Sequence, residues 1–312
     1  MRYESAMSRE ILRVACLALS FFCACGKSTS APDAGPDAGP QCAADAGPTC
    51  ARPYFTKAPT GYVAGTPAPL LVMFHGYAAS GPIEENFYLH FAALAEAKGF
   101  LYAFANGTPD SKGNLFWNAT DACCNYENIA VDDVAYAKAI IDDMSAKYTV
   151  DPKRIFLFGH SNGGFLAHRI ACEMAPRIAG IVSLAGAVWK DGSKCQPTAP
   201  IAILQLHGDR DSVILYDGGP PSPSTSPRYP SARETAALWA ARNGCTGALQ
   251  ATGALHDLEG LIPGAETKVE AYAGCPAGAV ELWTIQGGEH IPPLTTNWAE
   301  PVWSFLAAHP RP

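Results

Sequence analysis

Ser161 lies in Gly159-His160-Ser161-Asn162-Gly163, with the apolar run Ile155–Phe158 ahead of it and Phe165, Leu166 and Ile170 at helical spacing behind it. A serine between such a strand and such a helix is forced into a tight, strained turn. Glycines two residues to either side let the two backbones approach, and the hydroxyl is directed out over the sheet edge. It stands at the amino end of a helix, whose N–H groups can stabilise an anion. The chemistry implied is nucleophilic attack on an acyl carbon. A hydroxyl needs a base for that, and an imidazole base needs a carboxylate to fix its tautomer.

At turns of this kind the acid and then the histidine follow the serine in the chain. Behind the apolar run Ile201–Leu206 comes His207-Gly208-Asp209-Arg210-Asp211. Asp211 is assigned as the acid. Asp209 is its competitor, close enough to the strand to cap the turn instead. The histidines downstream are His256, His290 and His309; His290 is chosen because Gln286-Gly287-Gly288-Glu289 forms a flexible return after the run Val280–Ile285. Two backbone N–H groups must hold the oxyanion. Asn162 supplies one, and the loop after Phe74 supplies the other, through Tyr77 or its neighbour Gly76. Trp117 is assigned to the acyl pocket. His75, His160 and His207 read as local hydrogen-bonding groups. No His/Asp/Glu cluster has metal spacing and no glycine-rich phosphate loop is present, so neither metal nor cofactor is expected.

The elements that must position these residues are legible as apolar runs at 70–74, 100–104, 155–158, 178–184, 201–206 and 280–285. They alternate with helical segments at 83–98, 131–148, 163–175, 231–243 and 297–308. In the second helix Val131, Val134, Ile141, Met144 and Tyr148 share a face, while Asp132, Asp133, Asp142, Asp143 and Lys147 fall elsewhere. Short unbroken apolar strands alternating with amphipathic helices predict an α/β fold, a mainly parallel sheet covered on both faces, with chemistry at the carboxyl ends of its strands. In 312 residues, hydrophobic types make up 48 % and charged ones 16 %, ample for one sizeable core. A net charge of −7 excludes a basic groove, and nucleic acid with it. Gly218–Pro230 reads as a surface loop.

The amino-terminal part has another composition. Arg2, Arg9 and Arg13 precede the apolar run Val14–Ala24, about 11 residues, which suits a signal peptide and is well short of the ~20 of a membrane span. Ala24-Cys25-Gly26 resembles a bacterial lipoprotein signal with Cys25 as the acylated residue, and cleavage to a secreted form is the alternative. Residues 26–52 repeat Asp-Ala-Gly-Pro and carry no bulky apolar residues until Tyr54, a flexible linker before a catalytic domain at 53–312. Eleven cysteines point to an oxidising compartment outside the cytoplasm. Any contact with a membrane would be through the lipid anchor alone.

Taken together, several segments resemble the polyhydroxybutyrate depolymerase and feruloyl esterase group of α/β-hydrolases. They include Leu71–Gly76, Trp117-Asn118-Ala119 with Cys123-Cys124, Val131-Asp132-Asp133-Val134, Val150–Ile155, Gly159–Gly164, His207-Gly208 with Asp211, Tyr216–Gly219, Trp239–Cys245 and Gly287–His290. The likeness runs in order from about Ala68 to Phe305. It implies a triad of Ser161, Asp211 and His290 that hydrolyses small or polymeric carboxylic esters, polyester or polysaccharide side-chain esters among them. It also implies a disulfide between Cys245 and Cys275, with Cys123, Cys124, Cys172 and Cys195 supplying others. One departure is Ile291-Pro292-Pro293, where relatives often carry Thr-Trp-Pro; it alters the pocket wall beside the base. The rival expectations are an acyltransferase of the same fold and a non-catalytic surface lipoprotein, which would need a broken triad.

Overall fold

The computed structural model describes residues 48–220 and 227–312. The signal segment with Cys25 and nearly all of the linker lie outside the described residues. A short helix, α1 (Pro48–Ala51), opens the described chain, followed by β1 (Tyr54–Lys57) and β2 (Ala68–Phe74). Arg52 was assigned to the linker on composition, yet it is anchored in the folded unit. Its guanidinium pairs with buried Asp133 at 2.6 Å and lies 3.6 Å over the Tyr136 ring. A lone arginine in a Pro/Gly/Ala context gives no local sign of such distant partners.

Next come α2 (Gly81–Glu84), a π-helical turn (Glu85–Leu89), α3 (Phe91–Lys98) and β3 (Leu101–Ala105). One helix was expected over 83–98. It breaks at His90, whose φ is 56°, and Glu85 provides the reason. Its carboxylate accepts the N–H groups of Phe91 and Ala92, acting as the cap of a new helix, and also accepts a hydrogen bond from the Tyr102 hydroxyl.

A small hairpin, β4 (Thr108–Pro109) and β5 (Leu115–Phe116), leads to α4 (Asp133–Lys147), capped by the Asp132 side chain. After it run β6 (Val150–His160), α5 (Asn162–Met174), β7 (Gly180–Leu184), β8 (Ala202–Gly208) and α6 (Ala232–Arg242). The chain ends with β9 (Leu249–His256), β10 (Thr267–Tyr272), β11 (Val280–Ile285) and α7 (Ala299–Ala308).

Nine strands form one sheet in the order β1-β3-β2-β6-β7-β8-β11-β10-β9. The six in the middle are parallel, and β1, β10 and β9 attach antiparallel at the two edges. Every residue of β2, β3, β7 and β8 is buried, as a sheet covered on both faces requires. The apolar side chains divide accordingly into two clusters. One contains Leu70, Val72, Phe165 and Trp239; the other contains Leu71, Met73, Phe158 and Trp303. Burying side chains of this size is worth about 1.5–3 kcal/mol each. β9 and β10 were not foreseen. β9 is an edge strand exposed along most of its length, so no apolar alternation marks it.

Among the described residues no helix is long and apolar enough to cross a membrane. Disulfides join Cys245 to Cys275, Cys172 to Cys195, and Cys123 to its neighbour Cys124. Closing loops of the size of the first two restricts the unfolded chain by about 3–4 kcal/mol each on the chain-entropy view.

Candidate active site

β6 ends at His160 and α5 begins at Asn162, so Ser161 is the whole turn between them, at φ 52° and ψ −118°. This left-handed conformation is costly for a residue with a Cβ and persists only where packing enforces it. The enforcement comes from the two glycines. A Cβ on Gly159 would stand 2.0 Å from the Gly163 carbonyl oxygen, and one on Gly163 would stand 2.0 Å from that of Phe74. Strand and helix are thus packed backbone to backbone, and the Ser161 N–H is fixed by the Leu184 carbonyl at 2.7 Å.

The structure brings Ser161 together with the two residues assigned to it. The Ser161 hydroxyl lies 2.9 Å from His290 Nε2, and His290 Nδ1 lies 2.7 Å from Asp211 Oδ2. All three are nearly fully buried. Asp211 Oδ1 accepts the Val213 and Ile214 N–H groups, each at 2.8 Å, so the loop after β8 folds around its own carboxylate. Burial opposes the charge of Asp211. The neighbouring imidazoles of His290 and His207 and the bonds they donate outweigh it and hold the carboxyl well below the usual range. Asp209 is elsewhere occupied: its Oδ1 accepts the Gly287 N–H at 2.6 Å and ties the loop after β8 to the return that carries His290. His256 sits at the end of β9 against Trp283, and His309 caps α7, so neither meets Ser161.

Of the two alternatives for the second oxyanion donor, Gly76 is already committed. Its N–H donates to Glu84 Oε1 at 2.7 Å. The Tyr77 N–H is bonded to no group among the described residues, and the loop passes close to the serine, since a Cβ on Gly76 would lie 3.4 Å from Ser161 Cβ. Asn162, as the first residue of α5, has an N–H with no preceding turn to receive it. His75 is fully buried, accepts the Gly107 N–H on Nε2 and donates from Nδ1 to the Gly76 carbonyl. Burial depresses its basicity, so it serves as a neutral link beneath the loop.

Trp117 requires a correction. It was assigned to the acyl pocket, but it is fully buried and has no surface to offer a ligand. Its indole N–H donates to the His75 carbonyl at 2.8 Å. Its backbone N–H donates to Asn162 Oδ1 at 2.7 Å, and its carbonyl accepts from Asn162 Nδ2 at 3.0 Å. Trp117 therefore clamps the loop after β2 to the start of α5. A bulky aromatic near a catalytic motif reads the same in sequence whether it lines a pocket or packs beneath it.

Two features escaped sequence reasoning. One is a chain of buried groups behind Asp211. The Trp239 indole donates to His168 Nδ1 at 2.9 Å, His168 Nε2 donates to Gln205 Oε1 at 3.0 Å, Gln205 Nε2 reaches His207 Nδ1 at 3.4 Å, and His207 Nε2 reaches Asp211 Oδ2 at 3.1 Å. Every link runs in one direction, and burial pushes His168 down to about 4, so that imidazole stays neutral. The other is Glu84, whose Oε1 also accepts from His160 Nδ1 at 2.9 Å, while His160 Nε2 donates to the backbone carbonyl of His290 at 3.3 Å. Among the described residues no cluster of three or more His, Cys, Asp or Glu is placed to hold a metal ion.

Solved structures place the fold in a class. The chain superposes on acetyl xylan esterase from Aspergillus awamori with a TM-score of 0.57 at 15 % identity, over 81 % of this chain and 93 % of that one. At that identity the likeness speaks to the fold alone, and the fold is that of the α/β-hydrolases. Within the class, residues 64–219 match the phospholipase/carboxylesterase family, to which this chain belongs.

Feruloyl esterase B of Piromyces equi is 32 % identical over 248 residues, which are 77 % of this chain and 42 % of that protein. A putative esterase of Nocardia uniformis subsp. tsuyamanensis is 30 % identical over 51 % of this chain and 44 % of its own length. The chain thus spans less than half the length of these two curated relatives. Feruloyl esterase D of Neurospora crassa is 23 % identical over 77 % of this chain and 74 % of its own length.

Proposed function

We propose that the protein is an exported serine hydrolase of carboxylic esters. Ser161 Oγ attacks the ester carbonyl as His290 Nε2 takes its proton. The tetrahedral oxyanion lies between the Tyr77 and Asn162 N–H groups. His290 then returns the proton to the leaving alcohol, water repeats the cycle on the acyl-serine, and the free acid departs. Asp211 holds the Nδ1–H tautomer and stabilises the imidazolium that forms in each half. One observation carries the reading: a serine in a strained left-handed turn stands 2.9 Å from an imidazole whose other nitrogen is 2.7 Å from a buried carboxylate.

The test is Ser161→Ala on p-nitrophenyl butyrate. Turnover should fall by about 10⁴- to 10⁶-fold in kcat, with an unchanged fold by circular dichroism and no labelling by a fluorophosphonate. Turnover close to the wild-type rate would exclude Ser161 as the nucleophile.

The substrates favoured are feruloyl or acetyl esters of polysaccharide and hydroxybutyrate-type polyester. Sequence similarity to feruloyl esterases supports the first class, and the motif resemblance supports the second. Comparing methyl ferulate, acetylated xylan and hydroxybutyrate oligomers by kcat/KM ranks them. Three disulfides among the described residues support an oxidising destination outside the cytoplasm. Anchoring through Cys25 predicts incorporation of labelled palmitate that Cys25→Ala abolishes.

A further inference from the structure

Glu84 and His160 form a second buried carboxylate–imidazole pair, which meets His290 at its backbone carbonyl where Asp211 meets it at its ring. Both are nearly fully buried, in a protein where burying a carboxylate without compensation would be costly. Glu84 Oε1 is shared between two partners on different elements: the Gly76 N–H at 2.7 Å, in the loop that carries Tyr77, and His160 Nδ1 at 2.9 Å, at the end of β6. His160 Nε2 in turn faces the His290 carbonyl at 3.3 Å. One carboxylate thus connects the backbone that would bind the oxyanion to the backbone that carries the base.

We propose that Glu84 and His160 are positioning residues for the esterase reaction. Glu84 sets the oxyanion loop through Gly76, and the His160 imidazolium sets His290 through its backbone carbonyl. The inference rests on the reading of Ser161 and His290 given above.

Both ring nitrogens of His160 face acceptors, and only the imidazolium can donate to both. Burial works against that charge, but the Glu84 carboxylate and the hydrogen bond to it overcome the penalty and raise the basicity of His160 above that of a free histidine. The groups facing His160 are few. Glu84 comes from α2, the Tyr88 ring is 5.3 Å away from the π-helical turn, and the His290 ring is 5.4 Å away from the loop after β11; Asp211 and His75 act at longer range. The carboxylate has a second effect. An isolated imidazolium 5.4 Å from His290 would oppose the positive charge that His290 must acquire in the transition state. Paired with Glu84, His160 is close to neutral in its effect on that charge.

The experiment compares Glu84→Gln, Glu84→Ala and His160→Gln with the wild-type chain and with Ser161→Ala. It uses p-nitrophenyl butyrate from pH 5 to 10, with thermal melts to verify folding. Glu84→Ala, which removes the acceptor, should lower kcat by about 10- to 100-fold with KM within threefold, the range for loss of a group that orients a reacting residue. Glu84→Gln keeps the acceptor but not the charge, so it should lose less in kcat while its alkaline limb moves to lower pH. In His160→Gln that limb should disappear. A packing defect would lower activity without moving a pH limb.

A second readout does not require the variants to fold. ¹⁵N-labelled wild type should show both His160 ring nitrogens protonated at pH 7, titrating above free histidine. A His160 that titrates at or below free histidine, or a Glu84→Gln profile superimposable on wild type, overturns the proposal. If either occurs while Ser161→Ala still loses turnover, the esterase reading stands and only the positioning role fails. A Ser161→Ala variant with wild-type turnover removes both.

Discussion

Two carboxylate–imidazole pairs touch His290, one at its ring and one at its backbone carbonyl, and they satisfy their buried groups in opposite ways. On one side both oxygens of Asp211 are used: Oδ1 takes two backbone N–H groups, and Oδ2 takes His290 and His207. Behind it the donors run in one direction as far as Trp239. On the other side Glu84 carries all its bonds on Oε1, while its Oε2 and the Tyr88 hydroxyl are buried without a hydrogen-bond partner among the described residues. Leaving a buried polar atom unpaired costs about 1–3 kcal/mol. The saturated side grips His290 by its ring, where in the proposed reaction an error of tautomer would leave Ser161 without its base. The other side grips it by its backbone, where the demand is for placement.

The largest expected effect separates the two sides most sharply. Asp211→Asn should keep the shape of the loop and still lower kcat by about 10⁴-fold, because an amide lets His290 settle in the wrong tautomer. Measured beside Glu84→Gln on the same ester, it should be far the more damaging change. A loss of less than tenfold would remove the distinction between a ring-holding and a backbone-holding pair.

Stability against pH should divide in the same way. Asp211 has a folded-state pKa held below that of the unfolded chain, about 3.9, so its contribution is present above that value and is lost as the pH falls below it. His160 is shifted upward, so its contribution is complete below the unfolded value near 6.5 and is lost as the pH rises through the folded one. Thermal melts of Asp211→Asn should therefore show a shallower decline from pH 5 to 3 than wild type. Those of His160→Gln should show a shallower decline on the alkaline side. Parallel curves in both comparisons would deny the opposite charge logic.

The sequence carried one of these two sides and almost nothing of the other. Ser161, Asp211 and His290, which the structure brings within hydrogen-bonding reach, each belong to a local pattern: the strand–turn–helix pentapeptide, the acidic turn after a buried strand, and the glycine-rich return before a histidine. The parallel sheet was legible for a similar reason, since strands buried on both faces write themselves as unbroken apolar runs. Glu84 and His160 meet across 76 positions, and His160 occupies the variable place of the pentapeptide, where the motif is silent. Trp117 failed because burial depth is not a property of a residue type. The edge strand β9 failed because exposure on both sides removes the alternation that would have revealed it.

Within the saturated side, position along the chain of donors should grade the effect. His207→Phe takes a donor from Asp211 and leaves the Ile214 carbonyl, bonded to His207 at 2.7 Å, without that partner. We expect a loss of about 2–3 kcal/mol in stability and of about tenfold in kcat. For a domain of this size the melting temperature should fall by about 4–12 °C. A full loss of activity would mean that His207 acts on the reaction directly rather than through Asp211.

At the far end stands Trp239, and its removal should separate stability from chemistry. Trp239→Phe keeps an aromatic ring in the core but deletes the indole N–H that His168 Nδ1 accepts at 2.9 Å. That leaves one buried nitrogen unpaired and a small cavity, about 2–3 kcal/mol together. His168 is already neutral, because burial holds its basicity down, and its other nitrogen still has Gln205 to donate to. The tautomer can therefore stay as it is through the remaining links, and Asp211 should be unaffected. The variant should melt several degrees lower while its kcat on p-nitrophenyl butyrate stays within about threefold of wild type. A tenfold drop in kcat at this distance would show that the donors behind Asp211 act as one coupled unit, in which the loss of any link reaches the base.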